Sequence, residues 1–184
     1  MRRLTWMMVA VSLLAAGPAA AAEMRMFELG FFGGLYVADD DAGVDDDFVY
    51  GARAGIVFNR VLELELVLDR VSTTFDSPSF GNLDEEFMSI TPRLVFNVPL
   101  PRGPIVPYGA IGIGYLDDEV ELPGGGTTSD DDLLTTIGGG VRIFVGDNFA
   151  FRFEGRLKSF ETFSVSQDNF EITAGLTWAL GRRR

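Results

Sequence analysis

The sequence predicts an all-β fold: an eight-stranded antiparallel up-and-down transmembrane β-barrel, preceded by a cleavable signal peptide. Three observations predict it. Eight segments alternate apolar and polar residues with a period of two, as strands do when their faces meet different surroundings. The connections between them sort by length, long after odd-numbered segments and mostly short after even-numbered ones. The polar face of the strands holds six basic and six acidic residues, a balance at odds with the strongly acidic chain as a whole.

The chain has 184 residues. Met1 to Ala22 read as an export signal, with Arg2 and Arg3 as the basic start, Leu4 to Ala16 as the apolar stretch and Ala20-Ala21-Ala22 as the small-residue cleavage site. The mature chain is expected to be a single barrel domain, residues 23–184. Beyond the signal no run of eighteen apolar residues occurs, so any membrane crossing must use strands. Without Arg2 and Arg3 the chain carries 13 basic and 27 acidic residues, a net of −14, which opposes nucleic acid and anionic membrane surfaces as electrostatic partners. Cysteine and histidine are absent. That excludes disulfides, thiolate nucleophiles, imidazole bases and histidine-ligated metals.

The first segment, Met26–Val37, sets Phe27, Leu29, Phe31, Leu35 and Val37 on one face against Glu28, Gly30, Phe32, Gly34 and Tyr36. The second, Phe48–Phe58, opposes Phe48, Tyr50, Ala52, Ala54, Ile56 and Phe58 to Gly51, Arg53, Gly55 and Val57. The third, Val61–Val71, opposes Leu62, Leu64, Leu66 and Leu68 to Glu63, Glu65, Val67 and Asp69. In the fourth, Phe87–Val98, Met88, Ile90, Leu94, Phe96 and Val98 face away from Ser89, Thr91, Arg93 and Asn97. Its Pro92 fits a bulge or an edge better than the middle of a ladder. The fifth, Ile105–Leu116, opposes Ile111, Ile113 and Tyr115 to Tyr108, Ala110, Gly112 and Gly114. The sixth, Leu133–Val145, opposes Ile137, Val141, Ile143 and Val145 to Thr136, Gly138, Gly140 and Arg142. The seventh, Phe149–Lys158, alternates most sharply: Phe149, Phe151, Phe153 and Leu157 against Arg152, Glu154, Arg156 and Lys158. The eighth, Phe170–Leu180, opposes Phe170, Ile172, Ala174, Leu176, Trp178 and Leu180 to Glu171, Thr173, Gly175 and Thr177.

Asn59-Arg60 and Gly146-Asp147-Asn148 read as tight turns, with a longer PLPRGP link between the fourth and fifth segments. With the N-terminus in the periplasm, every long loop lies outside the cell, the asymmetry of outer-membrane barrels. Those loops are acidic: DDDAGVDDD at 39–47, Asp84–Glu86, Asp117–Glu121 and Asp130–Asp132.

Two counts decide which face points inward. Nine glycines (30, 34, 51, 55, 112, 114, 138, 140 and 175) lie on the polar parity and four (33, 109, 139 and 155) on the apolar one. Inside a narrow barrel glycine makes room for long side chains, those at 112, 114, 138 and 140 for arginines reaching across. The polar parity carries Arg53, Arg93, Arg142, Arg152, Arg156 and Lys158 against Glu28, Glu63, Glu65, Asp69, Glu154 and Glu171. Solvated charges need no such balance; buried ones do. The charged face is therefore expected in the lumen and the apolar face in lipid, the reverse of a soluble lipocalin-like binder. Phe27, Phe58, Phe96, Phe149 and Trp178 form an expected inner aromatic girdle, and Phe48, Tyr50, Tyr115 and Phe170 an outer one.

PYGAIGIGY at 107–115, VGDNFAFRFEGRLKSFETF at 145–163 and the last strand together resemble the small outer-membrane β-barrel family that includes the OmpA transmembrane domain and OmpX-type proteins. In that strand Thr173, Gly175, Trp178 and Leu180 are similar to the assembly signal read by the barrel-insertion machinery. The family usually ends on an aromatic; here Leu180 takes that place and Gly181 to Arg184 follow. The resemblance implies residence in the cell outer membrane, contact with its lipid and lipopolysaccharide, and no nucleic-acid partner. Barrel enzymes of the palmitoyltransferase, deacylase and omptin types depend on histidine, which this chain lacks.

No catalytic, cofactor-binding or metal-ligating residue is nominated, and no cofactor is expected. The glycines at 124–126 and 138–140 lack the Lys-Ser/Thr of a phosphate loop, and the stretch from 39 lacks the sixth-position glycine and twelfth-position glutamate of an EF-hand. The expected function is that of a non-enzymatic barrel with a charge-paired, plugged lumen and acidic outer loops, serving structure or surface interaction. A narrow channel and a secreted soluble ligand-binding barrel are the alternatives.

Overall fold

A computed structural model describes residues 26–37, 47–77, 81–101, 103–122, 126–162 and 165–180; side chains are described except at 72–77, 81–86, 118–122, 126–131, 160–162 and 165–167. The proposed signal, the acidic residues 39–46 and the tail at 181–184 lie outside the described residues.

Eight strands follow one another: β1 (Met26–Val37), β2 (Asp47–Val57), β3 (Leu62–Ser77), β4 (Gly81–Asn97), β5 (Ile105–Leu122), β6 (Gly126–Val145), β7 (Phe149–Thr162) and β8 (Val165–Leu180). Each pairs antiparallel with the next, and β1 also pairs with β8 through Phe27↔Leu180 to Val37↔Phe170, which closes the barrel. Closure satisfies every strand edge, the condition for a sheet to stand in hydrocarbon.

The tight turns are where the sequence places them. After β2 the Asn59 side chain accepts hydrogen bonds from the Val61 and Leu62 amides, both at 2.8 Å. After β6, Gly146 takes a positive φ of 76°, which a residue with a Cβ rarely adopts. At the other end of the barrel the expectation of long loops is corrected. Three of those connections are long hairpins, paired to Ser77↔Gly81, Leu122↔Gly126 and Thr162↔Val165. The acidic stretches at 84–86, 117–121 and 130–132 are accordingly strand residues of β4, β5 and β6, not loop. About 9 to 11 tilted residues suffice to cross a bilayer, so these hairpins continue beyond it.

Pro92 makes no bulge. The β4–β5 register runs unchanged from Ile90↔Tyr115 to Arg93↔Gly112, with the ladder interrupted at the residues between. A missing N–H breaks hydrogen bonds without shifting the strand.

Facing follows parity throughout the described strands. Phe31 is 74% exposed and Ile113 61%, whereas Arg152 is 1% and Glu63 0% exposed. A soluble binder would show the opposite order, so that alternative does not describe this barrel. Outward Gly33 lies under the Phe48 ring, 2.7 Å from where a Cβ would stand, the cover that a cross-strand aromatic gives a bare backbone. Phe149 and Trp178 pair across β7–β8 and stack at 6.1 Å with ring planes 6° apart, within the expected inner girdle.

Candidate functional site

The strand register builds the lumen from its walls inward. Arg93 faces Glu65 directly across β3–β4, and Arg156 faces Glu171 across β7–β8. Lys158 also reaches Glu171 across β7–β8 and Arg152 reaches Glu154 along β7, while the remaining partners lie on strands that are not neighbours and meet over the barrel axis. The twelve charged side chains of the polar parity are all buried and all paired, in three tiers.

The middle tier centres on Glu154 of β7. Its carboxylate accepts from Arg93 Nη1 and Nη2 at 2.5 and 2.8 Å, from Arg152 Nη2 at 3.0 Å, from Arg53 Nη1 at 3.2 Å and from the Tyr108 hydroxyl at 2.6 Å. Glu65 accepts from Arg93 Nε at 2.6 Å and from Arg152 Nη1. Arg152 Nε donates to the Tyr108 oxygen at 2.7 Å. Gly140 makes this possible: it stands between Tyr108 and Glu154 in the register of β5, β6 and β7. A Cβ at Gly140 would come within 2.8 Å of the Tyr108 hydroxyl.

Towards the outer end, Asp69 pairs with Arg156 at 3.2 Å and with Lys158, and Glu171 pairs with Lys158 at 2.8 Å and with Arg156. Ser89 adds a hydroxyl to Asp69 at 2.9 Å. Towards the inner end Arg142 alone serves two carboxylates, Glu63 at 2.7 Å and Glu28 at 3.2 Å. The second contact is an ion pair without hydrogen-bond alignment, and Glu28 Oε1 and Oε2, Glu63 Oε1 and Arg142 Nε have no hydrogen-bond partner within the protein. The inner tier is the least satisfied of the three.

Two aromatic rings separate the tiers. Tyr108 lies between Arg142 and Arg152, whose guanidinium carbons are 5.1 and 4.4 Å from its centroid; Phe32 lies between Arg53 at 4.3 Å and Arg156 at 5.8 Å. Cation–π attraction acts at these distances. Buried apolar side chains flank the stack on both sides: Tyr36, Val49, Val71, Leu116 and Leu134 outward, Met26, Val57 and Ala179 inward. Sequence parity anticipates the charges but not these layers, whose only signal is a large apolar residue on the polar parity.

The glycines divide their work differently from expectation. Those at 112 and 138 stand against Arg93 and Arg156, as expected, with Cβ distances of 2.8 and 3.2 Å to the arginine Cβ atoms. At Gly140 a Cβ would lie 1.9 Å from the Phe153 carbonyl oxygen and 2.8 Å from the Tyr108 hydroxyl, so that glycine admits neighbouring backbone and the tyrosine rather than an arginine. At Gly114 a Cβ would lie 2.3 Å from the Ile90 carbonyl oxygen, so that glycine admits the neighbouring backbone.

Among the described residues no group of three or more metal-ligating side chains occurs. Comparison with known proteins places the architecture. Neisserial surface protein A aligns with a TM-score of 0.67 at 18% identity, over 83% of this chain and 96% of that one. The N-terminal barrel of Pseudomonas aeruginosa OprF aligns at 0.60 with 13% identity, over 85% and 98%. The Yersinia pestis attachment invasion locus protein Ail, in complex with the heparin analogue sucrose octasulfate, aligns at 0.60 with 13% identity, over 85% and 100%. At these identities the likeness is one of fold. No curated protein matches the chain in sequence. Residues 7–178 match the outer membrane protein β-barrel domain, and the chain belongs to that family of the Gram-negative outer membrane.

Proposed function

We propose that the protein is a non-enzymatic outer-membrane barrel whose lumen is closed by its own paired charges, and that its role is structural or one of surface interaction. The observation that carries this reading is the interior itself. Twelve ionisable side chains, six of each sign, neutralise one another between apolar layers. Eight strands enclose little more than the volume of their own side chains.

On this reading residues 1–22 direct export and are removed, leaving 23–184 to fold in the membrane. Lipid and lipopolysaccharide cover the apolar wall. The acid on the outer hairpins disfavours polyanions such as the sulfated ligand of Ail, and suits divalent cations that bridge carboxylates to lipopolysaccharide phosphates.

Conductance in planar bilayers tests the closed lumen. The purified wild type is expected to be silent, and reproducible ion-selective openings would make the narrow channel the better reading.

Assembly through the last strand makes a separate prediction. Trp178 is half-exposed at the inner end of β8, where the insertion machinery would read it. Trp178→Asp is expected to abolish the heat-modifiable band in outer-membrane fractions, whereas deletion of Gly181 to Arg184 preserves or strengthens it by leaving Leu180 terminal. Normal folding of Trp178→Asp would show that the signal lies elsewhere.

A further inference from the structure

Part of the inward wall formed by β8, β1 and β2 is lined by glycine around a single aromatic residue. Along β1 the inward positions on either side of Phe32 are Gly30 and Gly34. Across the sheet, Phe32 registers with Gly51 on β2 and Gly175 on β8. One aromatic ring is thus flanked by four glycines, with Arg53, Val49, Thr173 and Thr177 at the corners of the patch.

Two of those glycines are fitted to the ring residue. A Cβ at Gly51 would stand 2.6 Å from Phe32 Cζ, and one at Gly175 would stand 2.8 Å from Phe32 Cβ. The ring is buried and packs with Tyr36, Val49, Val67 and Val71. It also separates the guanidinium of Arg53 in the middle tier from that of Arg156 in the outer one.

Charged groups hold water readily, so ion pairs alone do not dry a lumen; an apolar constriction closes a pore by excluding water. Resting on the closed-lumen reading, we propose that Phe32 is the seal of the barrel, the side chain whose volume keeps the β8–β1–β2 wall from becoming a water path between the tiers. Without the ring, Gly175, position 32 and Gly51 offer nothing larger than a methyl group across three adjacent strands. Along β1 the gap is bounded by Arg53 and Thr177 beside Gly30 and by Val49 and Thr173 beside Gly34.

The experiment is planar-bilayer recording of full-length, refolded wild type, Phe32→Ala and Phe32→Val, with folding judged by heat-modifiable gel mobility. Expected are a silent wild type, discrete openings in Phe32→Ala and smaller or rarer ones in Phe32→Val. Benzene should suppress the alanine variant's openings by occupying the vacated apolar space, a rescue that general loosening of the barrel would not give. Folded but silent Phe32→Ala, or openings indifferent to benzene, would overturn the assignment while leaving the closed-lumen reading intact. If the alanine variant does not fold, the valine variant decides by the same criteria; if neither folds, Phe32 is a folding residue and the assignment fails. Openings in the wild type would overturn both the seal and the closed lumen.

Discussion

Glu154→Ala is expected to cost more stability than any other single change in the lumen. The carboxylate is the shared acceptor of Arg53, Arg93, Arg152 and the Tyr108 hydroxyl, and all four donors are buried. Its removal leaves Glu65 as the nearest counter-charge for Arg93 and Arg152 and removes the Arg53 ion pair outright. Breaking a buried pair from one side costs about 3 to 5 kcal/mol, because the remaining charge stays desolvated without compensation. Equilibrium unfolding in urea, followed by gel mobility in vesicles, should register that loss. Glu154→Gln, which keeps an acceptor oxygen at the same place, should lose less. Arg53→Ala combined with Glu154→Ala should cost less than the two single losses added together, since the pair is then absent from both sides. A loss under about 1 kcal/mol for Glu154→Ala would mean that water already solvates the tier, and with it the closed lumen would have to be abandoned.

The pairing partners behind that prediction are the least legible feature of the sequence. Parity assigns Glu65, Glu154 and the six basic residues to one face, because alternation survives wherever one side of the strand meets lipid and the other does not. It cannot say that Arg152 meets Glu65, which lies 87 residues away and on a strand that is not a neighbour. That contact depends on the tilt of the closed barrel, a global quantity. Arg93–Glu65 is different in kind, since a cross-strand neighbour follows once the β3–β4 register is known.

The strand ends fail for a related reason. Beyond the bilayer both faces of a hairpin meet water, so the period of two fades and acidic stretches such as Asp84–Glu86 and Asp130–Asp132 read as loop. The backbone nevertheless stays paired to Ser77↔Gly81 and Leu122↔Gly126. Phe32 and Tyr108 are a third case. Each stands on the polar parity as an exception, and its function as a partition between guanidinium groups appears only when the opposite walls are present.

The second large effect concerns the outer face and depends on depth. Phe153 lies four residues into β7 from its inner end at Phe149, in register with Val141 on β6 and Ala174 on β8, and about half of it is exposed. Val145 is also exposed but stands at the inner end of β6, next to the turn. In lipid, Phe153→Arg places a guanidinium near the bilayer midplane, at a cost of about 2 to 4 kcal/mol, while Val145→Arg reaches the interface and costs roughly 0 to 1 kcal/mol. In water both sites would tolerate arginine alike, since an exposed charge away from any partner is usually neutral to within about 0.5 kcal/mol. The two variants and Phe153→Leu, which keeps the site apolar, should be unfolded in urea from the same phospholipid vesicles. The expected order of stability is wild type and Phe153→Leu together, Val145→Arg slightly below, and Phe153→Arg far below. Equal stability of the two arginine variants would remove the lipid from around β7 and overturn the assignment of faces on which the charge-filled lumen depends.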